Sequence, residues 1–227
     1  MKFKQVLALS GAAVLLVAAP VTSASGAGTR VSVRVEGKNR TLLAEKVVQT
    51  RSGSITKGGA PSGKCLASSG QGALDVATHG RWSGKFSTSL GSYFVTKILG
   101  EIENGPRYYW SIFVNNRPAA TGGCGIKLHP GDQLLFAATV YPEYPIAIQA
   151  PGTATAGKQF DVKVVAFNAK GKSKPLAGAH VTGAGQGIVT NGRGIAHLVV
   201  SKGGTLKLGA SDSGYVRAAQ VRVHVTG

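Results

Sequence analysis

Acidic residues are scarce in this sequence. Nine Asp and Glu stand against 26 Lys and Arg in 227 residues, a formal net charge of +17. So few carboxylates leave Glu101 and Glu103 as the only close couple, two apart before a Gly-Pro turn, a thin basis for paired acid–base chemistry. Cysteine is scarcer still. Cys65 and Cys124 are too few and too far apart for a thiolate metal site. Five histidines (His79, His129, His180, His197, His224) are scattered without an i, i+4 pair, so no metal site is expected. There is no Gly-x-Ser-x-Gly elbow to carry a nucleophile. With neither an activated nucleophile nor a ligand cluster, the sequence is read as non-enzymatic and without a cofactor.

Aromatics are only 7% of the chain, while 33 glycines and 43% hydrophobic residues favour short strands and turns around an adequate core. One long apolar run stands out, residues 6–19, preceded by Lys2 and Lys4 and followed by Pro20 and small residues. That order is a secretory leader, residues 1–24, with cleavage after Ala24 or, as an alternative, after Ala27. At 14 residues the run falls short of a membrane span. The mature chain is therefore expected outside the cell, not spanning a membrane, with a net charge of +15. In that oxidising setting Cys65 and Cys124 form the expected disulfide.

Tyr141-Pro142-Glu143-Tyr144-Pro145 breaks the composition, because each proline restricts the residue before it to extended backbone. It marks residues 142–145 as a linker between a domain at 28–141 and another at 146–227. Upstream, strands are expected at 31–36, 41–50, 93–99, 108–114 and 133–140, from alternation and turn signals. Ser69 can cap one helix over 70–78, with Ala73, Leu74 and Ala77 on one face and Gly80 as its stop. Residues 51–64 read as a loop. Downstream the pattern is all strand (160–164, 195–199, 205–208, 221–225), with Asn191-Gly192 as a two-residue hairpin turn. The expected fold class is mainly β: a small α+β domain followed by an all-β sandwich.

Two resemblances sharpen that expectation. Val31-Ser32-Val33-Arg34-Val35-Glu36-Gly37, the span Gly72 to Ala77, Tyr109-Trp110-Ser111-Ile112-Phe113-Val114-Asn115-Asn116 and Leu128-His129-Pro130-Gly131-Asp132 carry the first. Residues 30–141 resemble a secreted bacterial domain of unknown function related to the C-terminal domain of transcobalamin and intrinsic factor. The resemblance implies a β-grasp-like fold and an accessory ligand-binding role. The large helical domain that completes the transcobalamin pocket has no counterpart in this sequence, so cobalamin binding does not simply transfer with the resemblance. The second half, through Pro175 to Val181, Thr190 to Ala196 and Gly214-Tyr215-Val216, is similar to bacterial immunoglobulin-like modules, which act as spacers or adhesive surfaces.

Several residues are candidates for a site. Alternation turns Tyr109, Ser111 and Phe113 to one side of their strand. If open, that face is an aromatic recognition patch; otherwise the 51–64 loop or the second domain covers it. Trp82, between Gly80 and Gly84, is either a lid on the helix end or a ligand platform. Lys170, Lys172 and Lys174 form the one basic cluster. They lack interleaved aromatics, and basic charge is spread evenly over both domains, so no specific nucleic-acid partner is expected. Gly58-Gly59-Ala60-Pro61-Ser62-Gly63-Lys64-Cys65 approaches a phosphate loop but has Cys where the Mg²⁺-holding hydroxyl belongs. The expected partner is an extracellular small ligand or an anionic envelope polymer; the alternative is a spacer or adhesin-type module without a pocket, and a hydrolase is the remote one.

Overall fold

The computed structural model describes residues 28–57, 63–185 and 187–227. The leader expected at residues 1–24 and most of the near-phosphate loop at 58–62 lie outside the described residues. The fold is mainly β, with one α-helix among the described residues. In chain order the first half comprises β1 (Arg30–Glu36), β2 (Thr41–Gln49), β3 (Ser54–Ile55), β4 (Cys65–Leu66), α1 (Gly70–Thr78), β5 (Trp82–Ser87), β6 (Ser92–Ile98), β7 (Glu101–Ile102), β8 (Tyr109–Val114), β9 (Arg117–Pro118) and β10 (Gln133–Thr139). The second half adds β11 (Tyr144–Gln149), β12 (Thr153–Thr155), β13 (Gln159–Phe167), β14 (Ser173–Pro175), β15 (His180–Thr182), β16 (Ile195–Val199), β17 (Gly204–Ser211), β18 (Tyr215–Val216) and β19 (Val221–Thr226).

The first half is built on a mixed sheet in the order β2-β1-β10-β8-β9, with β1 and β10 parallel at its centre. One face carries Val31, Val33, Val35, Leu134 and Phe136, all nearly inaccessible, and packs on Ala73, Leu74 and Ala77 of α1. A hairpin, a helix and a return strand that docks parallel beside the first strand make the β-grasp arrangement. The helix begins where the sequence says it should: Ser69 Oγ accepts the Gly72 N–H at 3.3 Å. It ends as His79 turns left-handed (φ 53°) and Gly80 follows at φ 73°, returning its N–H to the Asp75 carbonyl. Asn115 and Asn116, both at positive φ, form the two-residue turn from β8 to β9.

The sequence reading passes over β5, which pairs with β6 in a second, three-stranded sheet. Gly84 interrupts its pattern for a steric reason: the register shifts at Ser83/Gly84, and a Cβ there would lie 2.6 Å from the Phe94 carbonyl oxygen. The 51–64 segment is likewise not all loop, since β3 pairs with β4.

The second half packs the β14-β13-β11-β18 sheet, with β16 alongside β13, against β12-β19-β17-β15. Val164, Leu198, Leu208 and Val223 fill the space between them. The Asn191-Gly192 hairpin is corrected here. The turn runs to Gly194, which takes the positive φ (72°), while Asn191 Oδ1 accepts the N–H groups of Arg193 and Ile195. A side chain at 194 would meet the Val164 carbonyl oxygen at 2.6 Å, so glycine is needed there rather than at 192. Within the proline-rich stretch expected as the connector, β11 begins at Tyr144 and pairs with Tyr215.

The halves meet across the back of the first sheet. Phe113, Leu135 and Ala137 pack on Val216 and Tyr144. Beside them Glu36, 1% exposed, accepts from Arg34 Nη1 (2.9 Å), Thr41 Oγ1 (3.0 Å) and Arg217 Nε (3.1 Å). Alternation alone would send Ser32, Arg34 and Glu36 into water; instead the polar face of β1 is an interface. Burial pulls the Arg34 guanidinium below its usual value, and the Glu36 charge works against that pull.

Candidate functional site

A groove of about 410 Å³ opens between β6 and β8, which belong to the three-stranded and five-stranded sheets of the first half. Period-two alternation explains its wall. Tyr93 and Val95 enter the core at 4% and 7% exposure, which turns Phe94 outward at 59%. Leu90, in the turn before β6, is 62% exposed on the same rim, and Tyr109 opens β8 at 41%. Trp110 lines the groove on the core side, and its buried indole N–H has no acceptor among the described residues.

The disulfide fixes one end of this groove. Cys65 and Cys124 are bonded, with Cα atoms 5.1 Å apart, and the Cys124 N–H donates to Ser92 Oγ at 3.2 Å. Gly122 lets the backbone pass close to that serine, because a Cβ would fall 2.3 Å from its Oγ. The bond therefore ties β4, near the helix start, to the loop that borders the groove.

Among the described residues only one charged residue lines the groove, Glu103. The two acids of the sequence couple thus part company. Glu101 accepts the Lys38 N–H at 2.7 Å and holds a turn, whereas the Glu103 carboxylate has no ion-pair partner among the described residues.

The structure distributes the other sequence candidates unevenly. Of the Tyr109, Ser111 and Phe113 face, only Tyr109 reaches the groove. Ser111 Oγ is hydrogen-bonded to Thr139 Oγ1 at 2.6 Å, and Phe113, 2% exposed, lies beneath the second half. An open three-residue patch is therefore corrected: the back of the sheet is covered. Trp82 is 3% exposed, donates to Asp75 at 2.8 Å and stacks edge-on against Tyr93, with Lys57 Nζ 5.1 Å above its ring. It closes the helix end and offers no platform. Lys170 and Lys172 are exposed on a turn organised by Asn168 Oδ1, and Lys174 is exposed on β14. Sequence reasoning missed Phe94 and Leu90. Tyr93-Phe94-Val95 is apolar throughout, so alternation names no outward residue until the packing of Tyr93 is known.

Two further groups have structural roles. Asp132 ties the Pro-Gly-Asp turn to its neighbours: one oxygen accepts the His129 N–H and the other Asn115 Nδ2, each at 2.8 Å. Burial alone would raise its carboxyl, but these bonds and the nearby His129 outweigh it and hold the group below the usual range. Tyr144 is raised, through desolvation first and then its hydrogen bond with Tyr141. Among the described residues no group of three or more His, Cys, Asp or Glu could hold a metal ion, and no helix is long and apolar enough to cross a membrane.

Residues 73–139 match a family described as Domain of unknown function (DUF4430). The matched span contains Phe94, Glu103, Tyr109 and Trp110. A solved structure from Ruminococcus gnavus, provisionally named a metal binding protein, is similar at 15% identity with a TM-score of 0.34; the alignment covers 49% of this chain and 96% of that one. No curated protein matches the chain.

Proposed function

We propose that the chain is an extracellular, non-enzymatic binding protein that takes a small, largely apolar ligand into the groove between β6 and β8. The observation that carries this reading is the groove itself: about 410 Å³, with Phe94, Leu90 and Tyr109 left exposed on its rim. That volume lies within the range of small-molecule sites, and grouped exposed apolar side chains mark recognition surfaces. The leader-like N-terminus and the disulfide support an extracellular setting. The resemblance to the transcobalamin C-terminal domain supports an accessory ligand-binding role, and the immunoglobulin-like second half serves as the rigid support.

Neutral aromatic fragments titrated against the full chain test this, with tryptophan fluorescence as the signal. Saturable quenching that disappears in Phe94→Ala is expected, because Trp110 lines the groove and Trp82 is buried elsewhere. If no fragment quenches saturably, or if Phe94→Ala binds as the parent does, the reading fails.

A second reading draws on a separate observation. Lys170, Lys172 and Lys174 are all exposed, and Arg117 lies against Gly171 between them, which suits an anionic envelope polymer. Retention on such a polymer should collapse as salt rises and weaken when the three lysines become Gln. Salt-insensitive retention overturns it.

A further inference from the structure

The groove's composition is selective as well as apolar. Among the described residues, four aromatic residues line it (Tyr93, Phe94, Tyr109, Trp110), and Glu103 is its single charged one. No Lys or Arg of the described residues lines it, although the sequence carries 26 of them. An anionic ligand would meet a carboxylate and ring faces of negative potential, with only the neutral donors of Ser92, Thr121 and Trp110 to set against them. A neutral apolar ligand would cover Glu103 and strip its water without giving it a partner, an unfavourable exchange. A cation converts both features into attraction, since ring faces and a carboxylate each stabilise positive charge.

The type of cation follows from the hydrogen-bonding groups present. A primary ammonium brings three N–H donors, and beyond the Glu103 carboxylate the wall offers few acceptors. Ser92 Oγ, one of the few hydroxyls in the wall, already accepts from the Cys124 N–H. A methylated ammonium has few donors or none and is recognised by ring faces and a nearby carboxylate. The exposed rings of Phe94 and Tyr109 are the surfaces free to provide this, since Tyr93 is engaged edge-on with both Trp82 and Phe86.

Building on the small-ligand reading above, we infer that the groove selects organic cations, specifically a quaternary or methylated ammonium carried on an apolar body, with Glu103 as its counter-charge and Phe94 and Tyr109 as its aromatic walls. The protein's overall positive charge repels cations at long range, so this selectivity is local and strengthens only on contact.

The test compares two probes of the same shape, benzyltrimethylammonium and its uncharged carbon isostere neopentylbenzene, titrated against the full chain by tryptophan fluorescence. The cation should bind about tenfold more tightly. Glu103→Gln should erase that preference, weakening benzyltrimethylammonium while neopentylbenzene binds at least as tightly as before, because the charge it would have to desolvate is gone, and Phe94→Ala should weaken both. The Glu103→Gln variant should melt with the parent, because the carboxylate it alters holds no ion pair among the described residues. Equal binding of the two probes overturns cation selection and leaves the small-ligand reading standing. Binding of neither overturns both. Cation binding that persists unchanged in Glu103→Gln and Phe94→Ala lies elsewhere on the molecule and also overturns the inference.

Discussion

Replacing Glu36 by Gln removes the one negative charge from a contact that three side chains share. Arg34 Nη1 lies 2.9 Å from it, Thr41 Oγ1 3.0 Å, and Arg217 Nη2 3.1 Å. The two arginines differ in what they can do next. The Arg217 side chain is 27% exposed and can rehydrate, whereas that of Arg34 is 8% exposed and cannot. The cost is therefore set by Arg34, left as a buried charge without its counter-ion. Breaking a buried pair on one side costs about 3–5 kcal/mol, and Gln retains one acceptor, so about 3 kcal/mol is expected. In a chain of this size that corresponds to a fall in melting temperature of about 6–12 °C. Urea unfolding followed by tryptophan fluorescence is the suitable assay, because Trp82 and Trp110 both lie in the first half. The companion double variant, Arg34→Met with Glu36→Leu, removes both charges and their desolvation together, and should be less destabilised than Glu36→Gln alone. A Glu36→Gln variant within about 0.5 kcal/mol of the parent would refute the reasoning, being no larger than a surface substitution.

Three other outcomes follow from the same physics. The Asp132 carboxyl is held below its ordinary value in the folded chain, so its contribution is full above the ordinary carboxylate range and is lost as pH falls through the folded value. Asp132→Asn should thus be less stable at neutral pH and converge with the parent in acid; a pH-independent gap in melting temperature would contradict this. Removing the disulfide with Cys65→Ala and Cys124→Ala should cost about 4 kcal/mol from the loop closed by 59 residues of separation, read by urea unfolding; a loss below about 1 kcal/mol would mean the reduced chain is already restrained there. Gly72→Ala should destabilise by about 1–3 kcal/mol, against the usual gain of about 1 kcal/mol in a helix, because its Cβ would fall 2.1 Å from the Ala67 carbonyl oxygen. A rise in melting temperature would show that this approach relaxes freely.

Much of the local structure is legible in the order of residues. The Ser69 cap and the small apolar face of Ala73, Leu74 and Ala77 place α1 over the same residues that the structure gives it. Two cysteines allow only one intramolecular pairing, and the structure contains it. Errors arise where one residue type can serve two geometries. Asn191-Gly192 satisfies the hairpin rule, yet Gly194 takes the strained position because it lies against the backbone of β13. Gly84 looks like a break in a strand and is instead a bulge within one.

The site was readable only in part. Tyr109 stands among the candidates read from alternation, but Phe94, which lines the same groove, sits in an unbroken apolar triplet. Glu103 could not be told from Glu101 until one of them was seen to bond with the Lys38 N–H.

Alternation along a strand determines which side chains share a face, because successive Cβ atoms point opposite ways. It says nothing about what that face will meet. The sequence therefore established the helix, most of the longer strands, the disulfide and the basic charge of this protein. Tertiary structure alone decided that Arg34 and Glu36 lie between the halves, that Phe113 is covered, and that Phe94, Tyr109 and Glu103 border one groove. Those outcomes depend on contacts between distant segments, where burial and close approach, rather than neighbours in the chain, set the free energy of each side chain.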